Sequence, residues 1–321
     1  MKQLLSLVAC LALAASNPMT SVAQGSPIAT ANFTFTTIDF PGATLTRAIG
    51  LKDRGDIVGD YIDAGRVRHG YLLSGGMFSS IDAPGAVQTR ALAINNAGVI
   101  GGRFFDSGGV SHSFFLRQGI FTTFDVPGAI FTALQGMNDL NQAVGVYIDS
   151  AGNAHGFLLS AGNFTTIDFP AAVTGTIAHT INDQGQIAGE WGDAAGNTHG
   201  FLLSGGTFTR IDFPGALDTT AALGISNNGQ IVGTYDDTNG AFHGFRLIAG
   251  AFSTLDFPNG FGTQISRVNE AGQLVGFYFQ GGQHGFFATP GPVQKPSKAD
   301  TACRGKCGRR AGVLPDAESE I

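Results

Sequence analysis

Apolar and polar residues alternate along the chain in short runs, and Gly, Asn and Asp cluster between the runs. Period-two alternation over four to eight residues is the signature of a strand with one buried face. The stretch 176–214 shows the order clearly. Run a covers 176–182, and a turn at 182–185 ends in Gly185. Run b covers 186–191, and a loop at 193–197 leads to run c at 199–204. Gly205 and Gly206 then form a two-residue hairpin turn into run d, 207–213, which Pro214 ends. Proline just beyond run d is harmless if d is an outer strand, because its missing N–H then faces no neighbour.

This four-run unit repeats. Asp-x-Pro recurs at Asp39, Asp82, Asp125, Asp168, Asp212 and Asp256, with spacings of 43, 43, 43, 44 and 44 residues. A histidine recurs in step at His69, His112, His155, His199, His243 and His284. The a–b turn ends in Gly55, Gly98, Gly185, Gly229 and Gly272, with Asn141 as the exception. Gly and Asn tolerate a left-handed backbone, so a positive φ is expected there. Four antiparallel strands per unit, six times over, predict an all-β fold, a six-bladed β-propeller. An open β-solenoid is the alternative. The first run, 33–40, is a d strand, and the last three, 263–269, 273–279 and 284–288, are a, b and c. The N-terminal strand is therefore expected to complete the last blade and remove two exposed edges.

The c–d hairpins imply specific side-chain pairs. Across a two-residue turn, the numbers of opposed residues have a constant sum, which sets His199 opposite Asp212. The same holds for His69 with Asp82, His112 with Asp125, His155 with Asp168, and His243 with Asp256. In a closed ring, His284 pairs with Asp39. Opposed residues share a face with Cβ atoms about 4.5–5.5 Å apart, within reach of a hydrogen bond. One His and one carboxylate per blade are too few for a metal. The expected role is a structural latch, with no metal and no cofactor.

Composition narrows the class. Of 321 residues, 48 are Gly and 26 Phe, and only 13% are charged. Such a chain has ample apolar surface to bury and too much glycine for a helical bundle. Residues 24–289 hold 11 Lys and Arg against 20 Asp and Glu, which argues against nucleic acid as a partner. Residues 1–23 read as a secretory signal with a small-residue cleavage pattern, which takes precedence over a lipoprotein box ending at Cys10. Residues 24–32 are a short linker, and 290–321 a basic, proline-bearing flexible tail with Cys303 and Cys307. No membrane span follows the signal, and a secreted, periplasmic or cell-surface monomer is expected.

Departures from the repeat are the candidate functional positions. On the first strands they are Arg47, Arg90, Gln135, His179 and Arg267, a polar, cationic set facing the channel and suited to an anionic or sugar ligand. The aromatic series Tyr61, Phe104, Tyr147, Trp191, Tyr235 and Tyr278 is expected to pack between blades. The loops at 149–153 and 193–197 lack the alternating carboxylates of calcium hands and read as turns. Nucleophile-elbow, zinc-protease and phosphate-loop motifs are absent from the sequence.

His-Gly-Phe-Leu-Leu-Ser at 155–160 and 199–204, and Ile-Asn-x-x-Gly-Gln-Ile-x-Gly at 181–189, resemble the bacterial HAF family of extracellular repeats. The likeness covers about 33–289. The chain departs by having Gly where the family name has Ala, and Ser113 in the second unit. The resemblance implies a secreted or envelope repeat protein and carries no catalytic residues. The expected function is a non-catalytic binding module for glycan or protein. An extracellular hydrolase or lyase with a polar channel-mouth site, and a structural surface protein, are the alternatives.

Overall fold

The computed structural model describes residues 32–291. All twenty-four elements are strands, paired antiparallel in groups of four of the kind that form propeller blades, with one parallel bridge, Leu45 to Gln283, joining the first and last groups into an eight-stranded sheet. The first strand, β1 (Phe33–Ile38), stands apart from the order of the rest. The first sheet is β2 (Leu45–Leu51), β3 (Ile57–Ile62), β4 (Arg68–Ser74) and β5 (Met77–Ile81). The second is β6 (Gln88–Ile94), β7 (Ile100–Phe105), β8 (Ser111–Arg117) and β9 (Ile120–Phe124). The third is β10 (Phe131–Met137), β11 (Ala143–Ile148), β12 (Ala154–Ser160) and β13 (Asn163–Ile167). The fourth is β14 (Gly175–Ile181), β15 (Ile187–Gly192), β16 (Thr198–Ser204) and β17 (Thr207–Ile211). The fifth is β18 (Thr220–Ile225), β19 (Ile231–Asp236), β20 (Phe242–Ile248) and β21 (Ala251–Thr254). The last three strands, β22 (Phe261–Val268), β23 (Leu274–Phe279) and β24 (Gln283–Pro290), take β1 as their fourth. Phe35 lies opposite Ala288, and its ring centroid is 5.5 Å from that of Phe286.

Each unit is built around one aromatic side chain. Tyr71, Phe114, Phe157, Phe201, Phe245 and Phe286, on the third strand of their sheets, are fully buried. Each lies over a glycine of the second strand. A Cβ on Gly189 would sit 2.7 Å from the Phe201 ring and 2.1 Å from the carbonyl of Ile177, so only glycine fits there. The c–d turns have positive φ at both central residues, as in Gly205 (56°) and Gly206 (79°), which matches strand twist in a two-residue hairpin. Asn141 takes φ of 58° where the other units use glycine.

The core lies between sheets. One cluster joins Val144 of β11 to Ala178, Ile187 and Phe201 of the fourth sheet, with Phe169 from the connection. The fourth strands end two residues earlier than alternation implies, at Ile211 where the run extends to 213. Phe213 leaves the ladder to stack on Tyr235 of the next sheet at 3.6 Å. Burial against the neighbouring blade outweighs two further rungs. At the other boundary β24 includes Pro290, one residue beyond the domain limit read from the sequence.

A belt of hydrogen bonds joins the a–b turns of successive sheets. The amide of Asp53 donates to Asn96, Asn96 to Asp139, Asp139 to Asp183, Asp183 to Asn227, and Asn227 to Glu270. The amide of Glu270 donates to Asp53 at 3.1 Å, so the series returns to the first sheet. Among the described residues no helix is long and apolar enough to cross a membrane. The expected signal segment, most of the linker and tail, Cys303 and Cys307 lie outside the described residues.

Candidate binding site

Two sets of polar side chains stand out, one at the rim of the sheets and one along their first strands. At the rim, all six His–Asp pairs lie within hydrogen-bond distance through Nδ1. The distances are 2.7 Å for His69–Asp82, 2.7 Å for His112–Asp125 and 3.0 Å for His155–Asp168. They are 2.9 Å for His199–Asp212, 2.8 Å for His243–Asp256 and 2.9 Å for His284–Asp39.

A second carboxylate stands at the opposite ring nitrogen in five units. Nε2 of His69, His112, His155, His199 and His243 lies 3.2–3.6 Å from Asp63, Asp106, Asp149, Asp193 and Asp237. In the sixth unit a shorter b–c loop offers the carbonyl of Gln280 instead, at 3.2 Å. The other oxygen of each aspartate caps its own loop. Asp193 accepts the amides of Ala195 and Asn197, an Asx turn. The loops at 149–153 and 193–197 are thereby turns whose aspartates also hold histidines.

In three units the flanking carboxylates favour the doubly protonated ring. The hydrogen bond to Asp125 raises the pKa of His112. For His155 and His243, partial burial pulls downward, but Asp168 and Asp256 outweigh it and the net shift is up. Asp149 falls to about 2, chiefly through the amide of Asn153, and Asp193 to about 2, chiefly through His199. Each histidine also packs on the aromatic series. Tyr61 lies between His69 at 5.0 Å and Phe40, from the preceding connection, at 3.7 Å. Trp191 lies likewise between His199 and Phe169.

The second set lies along the first strands. Arg47, Arg90, Gln135, His179 and Arg267 converge on one cleft of about 120 Å³ between the first strands. The backbone explains why. The register of every first strand shifts by one residue, at Ile49, Leu92, Gln135, His179, Leu223 and Ser266. These are β-bulges, which leave a residue unpaired and re-aim its side chain.

Arg267 differs from the expectation of a ligand contact. Its Nη1 donates to the carbonyls of Leu223 and Ser266, and its Nη2 to those of Gln135 and His179. All four acceptors are bulge carbonyls, so one guanidinium satisfies the groups that the bulges leave unpaired and ties four sheets together. Its Nη protons are thereby occupied by backbone. Burial lowers its pKa to about 10, which keeps it charged at neutral pH.

The remaining cations gather beside the first two sheets. Asp60, with no exposed surface, accepts Arg47 Nε at 3.2 Å and Nη2 at 2.6 Å on one oxygen, and Arg68 Nη1 on the other. Arg90 stands directly opposite Arg103 across β6 and β7. The Arg103 guanidinium lies 5.4 Å from both the Phe105 and Phe131 ring centroids, and its Nε is buried without a partner. Across the cleft, His179 Nε2 is 3.3 Å from Glu190 Oε2, an ion-pair distance without hydrogen-bond alignment.

The sheets are of the four-stranded antiparallel kind that builds β-propeller blades. Solved structures include chains of similar fold. One is TolB from Acinetobacter baumannii, at 16% identity and TM-score 0.50, covering 65% of this chain and 54% of that one. AofleA from Arthrobotrys oligospora matches at 11% identity and TM-score 0.49 over 86% and 98%. A lectin of Aleuria aurantia, described as a six-bladed β-propeller with a novel fucose recognition mode, matches at 13% and 0.44 over 66% and 77%. At these identities the likeness is one of fold alone. No protein-family model and no curated protein matches the chain.

Proposed function

We propose that the chain is a six-bladed propeller closed by β1, acting as a non-catalytic binding module outside the cytoplasm, in the envelope or beyond it. Closure is supported by the β1–β24 ladder and by the turn belt that returns from Glu270 to Asp53. A HAF-type repeat and a secretory leader agree with this location. The ligand, a glycan or a protein, is taken at the axial cleft, and the His–Asp pairs serve as latches.

One observation carries the reading. The rim repeats its chemistry in every unit, while the cleft brings together Arg47, Arg90, Gln135 and His179 from four different sheets, at positions where the other units carry aliphatic or other side chains. A latch belongs to every blade, but a recognition site needs distinct groups at distinct places. Binding to glycan and peptide arrays tests it. Gln135→Ala and His179→Ala should weaken any captured ligand, while His199→Ala should lower only the melting temperature. Cleavage of an extracellular polymer, lost in His179→Ala with the fold intact, would replace the binding reading with an enzymatic one.

A further inference from the structure

The charge around Asp60 does not balance. Four arginines, Arg47, Arg68, Arg90 and Arg103, act on one another and on this single carboxylate. Asp60 is fully occupied by Arg47 and Arg68. Arg90 and Arg103 make no hydrogen bond among the described residues, yet they face each other across a strand pair. Like charges directly opposed are destabilising, and more so when partly removed from water. Burial, reinforced by Arg47, Arg103 and Arg68 and opposed by Asp60, brings the pKa of Arg90 down to about 9. These four are among only 11 cationic side chains in residues 24–289, against 20 acidic ones. Gathering them beside one acid opposes the sign of the rest of the body.

We propose that the axial cleft binds an oxyanion, a carboxylate, sulfate or phosphate group, with Arg90 as the principal donor. The inference rests on the reading of the cleft as the ligand site and adds the chemistry of what enters it. Each nearby group has a distinct part. Arg47 is held in the cleft wall by Asp60, so it presents charge at fixed geometry. Arg267 closes the cleft with its Nη donors already engaged. Arg90 lines the cleft with its fork of N–H donors free, the arrangement that recognises an oxyanion by two parallel hydrogen bonds. Arg103 does not line the cleft, packs against the rings of Phe105 and Phe131, and contributes field without contact. Gln135 adds a neutral amide on the same cleft wall. A cleft of about 120 Å³ takes one such group and leaves the remainder of its carrier outside.

Calorimetric titration of the folded protein at constant ionic strength tests this, with sodium phosphate, sodium sulfate, glucuronate and a Glu-rich peptide as separate probes. Low millimolar concentrations avoid the general stabilisation that sulfate and phosphate give every protein. At least one probe should bind the wild type, and Arg90→Gln should weaken it about tenfold or more. Arg90→Lys should also lose affinity, because an ammonium cannot fork. The exposed Arg54→Gln should not. Tightest binding by phosphate or sulfate identifies a free ion, by glucuronate an acidic saccharide, and by the peptide an acidic protein segment. Arg90→Gln without ligand should melt no lower than wild type, since it relieves repulsion. No binding by any probe, or binding unchanged in Arg90→Gln, would overturn the proposal. An array ligand that still binds Arg90→Gln at full strength would leave the binding module standing and remove only the oxyanion.

Discussion

The rim and the axis use the same residue types to opposite ends. At the rim, each histidine meets one or two carboxylates, the side chains are partly solvated, and the arrangement recurs with every unit. At the axis, four arginines from the first two units share one fully buried aspartate, and the other units do not repeat them. Matched charge in water contributes little to stability and tolerates loss, whereas unmatched charge in a cleft is costly and persists where a ligand can neutralise it. The difference separates positions that hold the fold from positions available to a partner.

The largest effect is expected from breaking the axial set. Asp60→Ala removes the only acid among four arginines, and loss of about 3–5 kcal/mol in chemical denaturation is expected, as for other buried pairs deprived of one member. An effect below about 1 kcal/mol would mean that water already screens the cluster. Next in size is Arg267→Ala, which frees four bulge carbonyls. Roughly 2–3 kcal/mol should be lost, read from the denaturation midpoint at unchanged slope. At the rim, His199→Ala should cost only about 1 kcal/mol, and the same change in another unit should add to it independently. Non-additive loss would contradict a set of separate latches.

The smallest effect is the response of the rim to pH. His112, His155 and His243 have raised pKa values when folded, so their contribution is complete below their unfolded value, about 6.5, and fades as pH rises through the folded one. The loop aspartates are lowered, so their contribution is complete above about 4 and is lost as pH falls toward 2. Melting temperature should therefore be highest between about pH 4 and 6.5 and decline on either side. A profile still rising from pH 6 to 9 would show that the histidines are neutral in the fold.

Local geometry was readable from residues; geometry between sheets was not. The His199–Asp212 register follows from a two-residue turn, and such turns leave the chain no freedom of register. The positive φ at Asn141 follows equally from its place in the a–b turn. The second aspartates could have been found as well. Asp63, Asp106, Asp149, Asp193 and Asp237 each stand six residues before a histidine, but in a loop their first duty is to cap a turn. The bulges were hidden because an extra residue common to every first strand leaves the repeat spacing intact. The role of Arg267 depends on how neighbouring sheets face each other across the cleft, which no run of residues encodes locally, whereas Asp60 takes Arg47 and Arg68 from the strands beside it in its own sheet.

The closed ring depends on β1 being a full member of the last sheet. Amide hydrogen exchange measures that directly. If the ring is closed, the bonded amides of β1 exchange as slowly as those of β13 and β17, the outer strands of intact hairpins, and respond to denaturant with the same slope. Exchange of β1 on the timescale of a frayed terminus, with β22–β24 still protected, would contradict it.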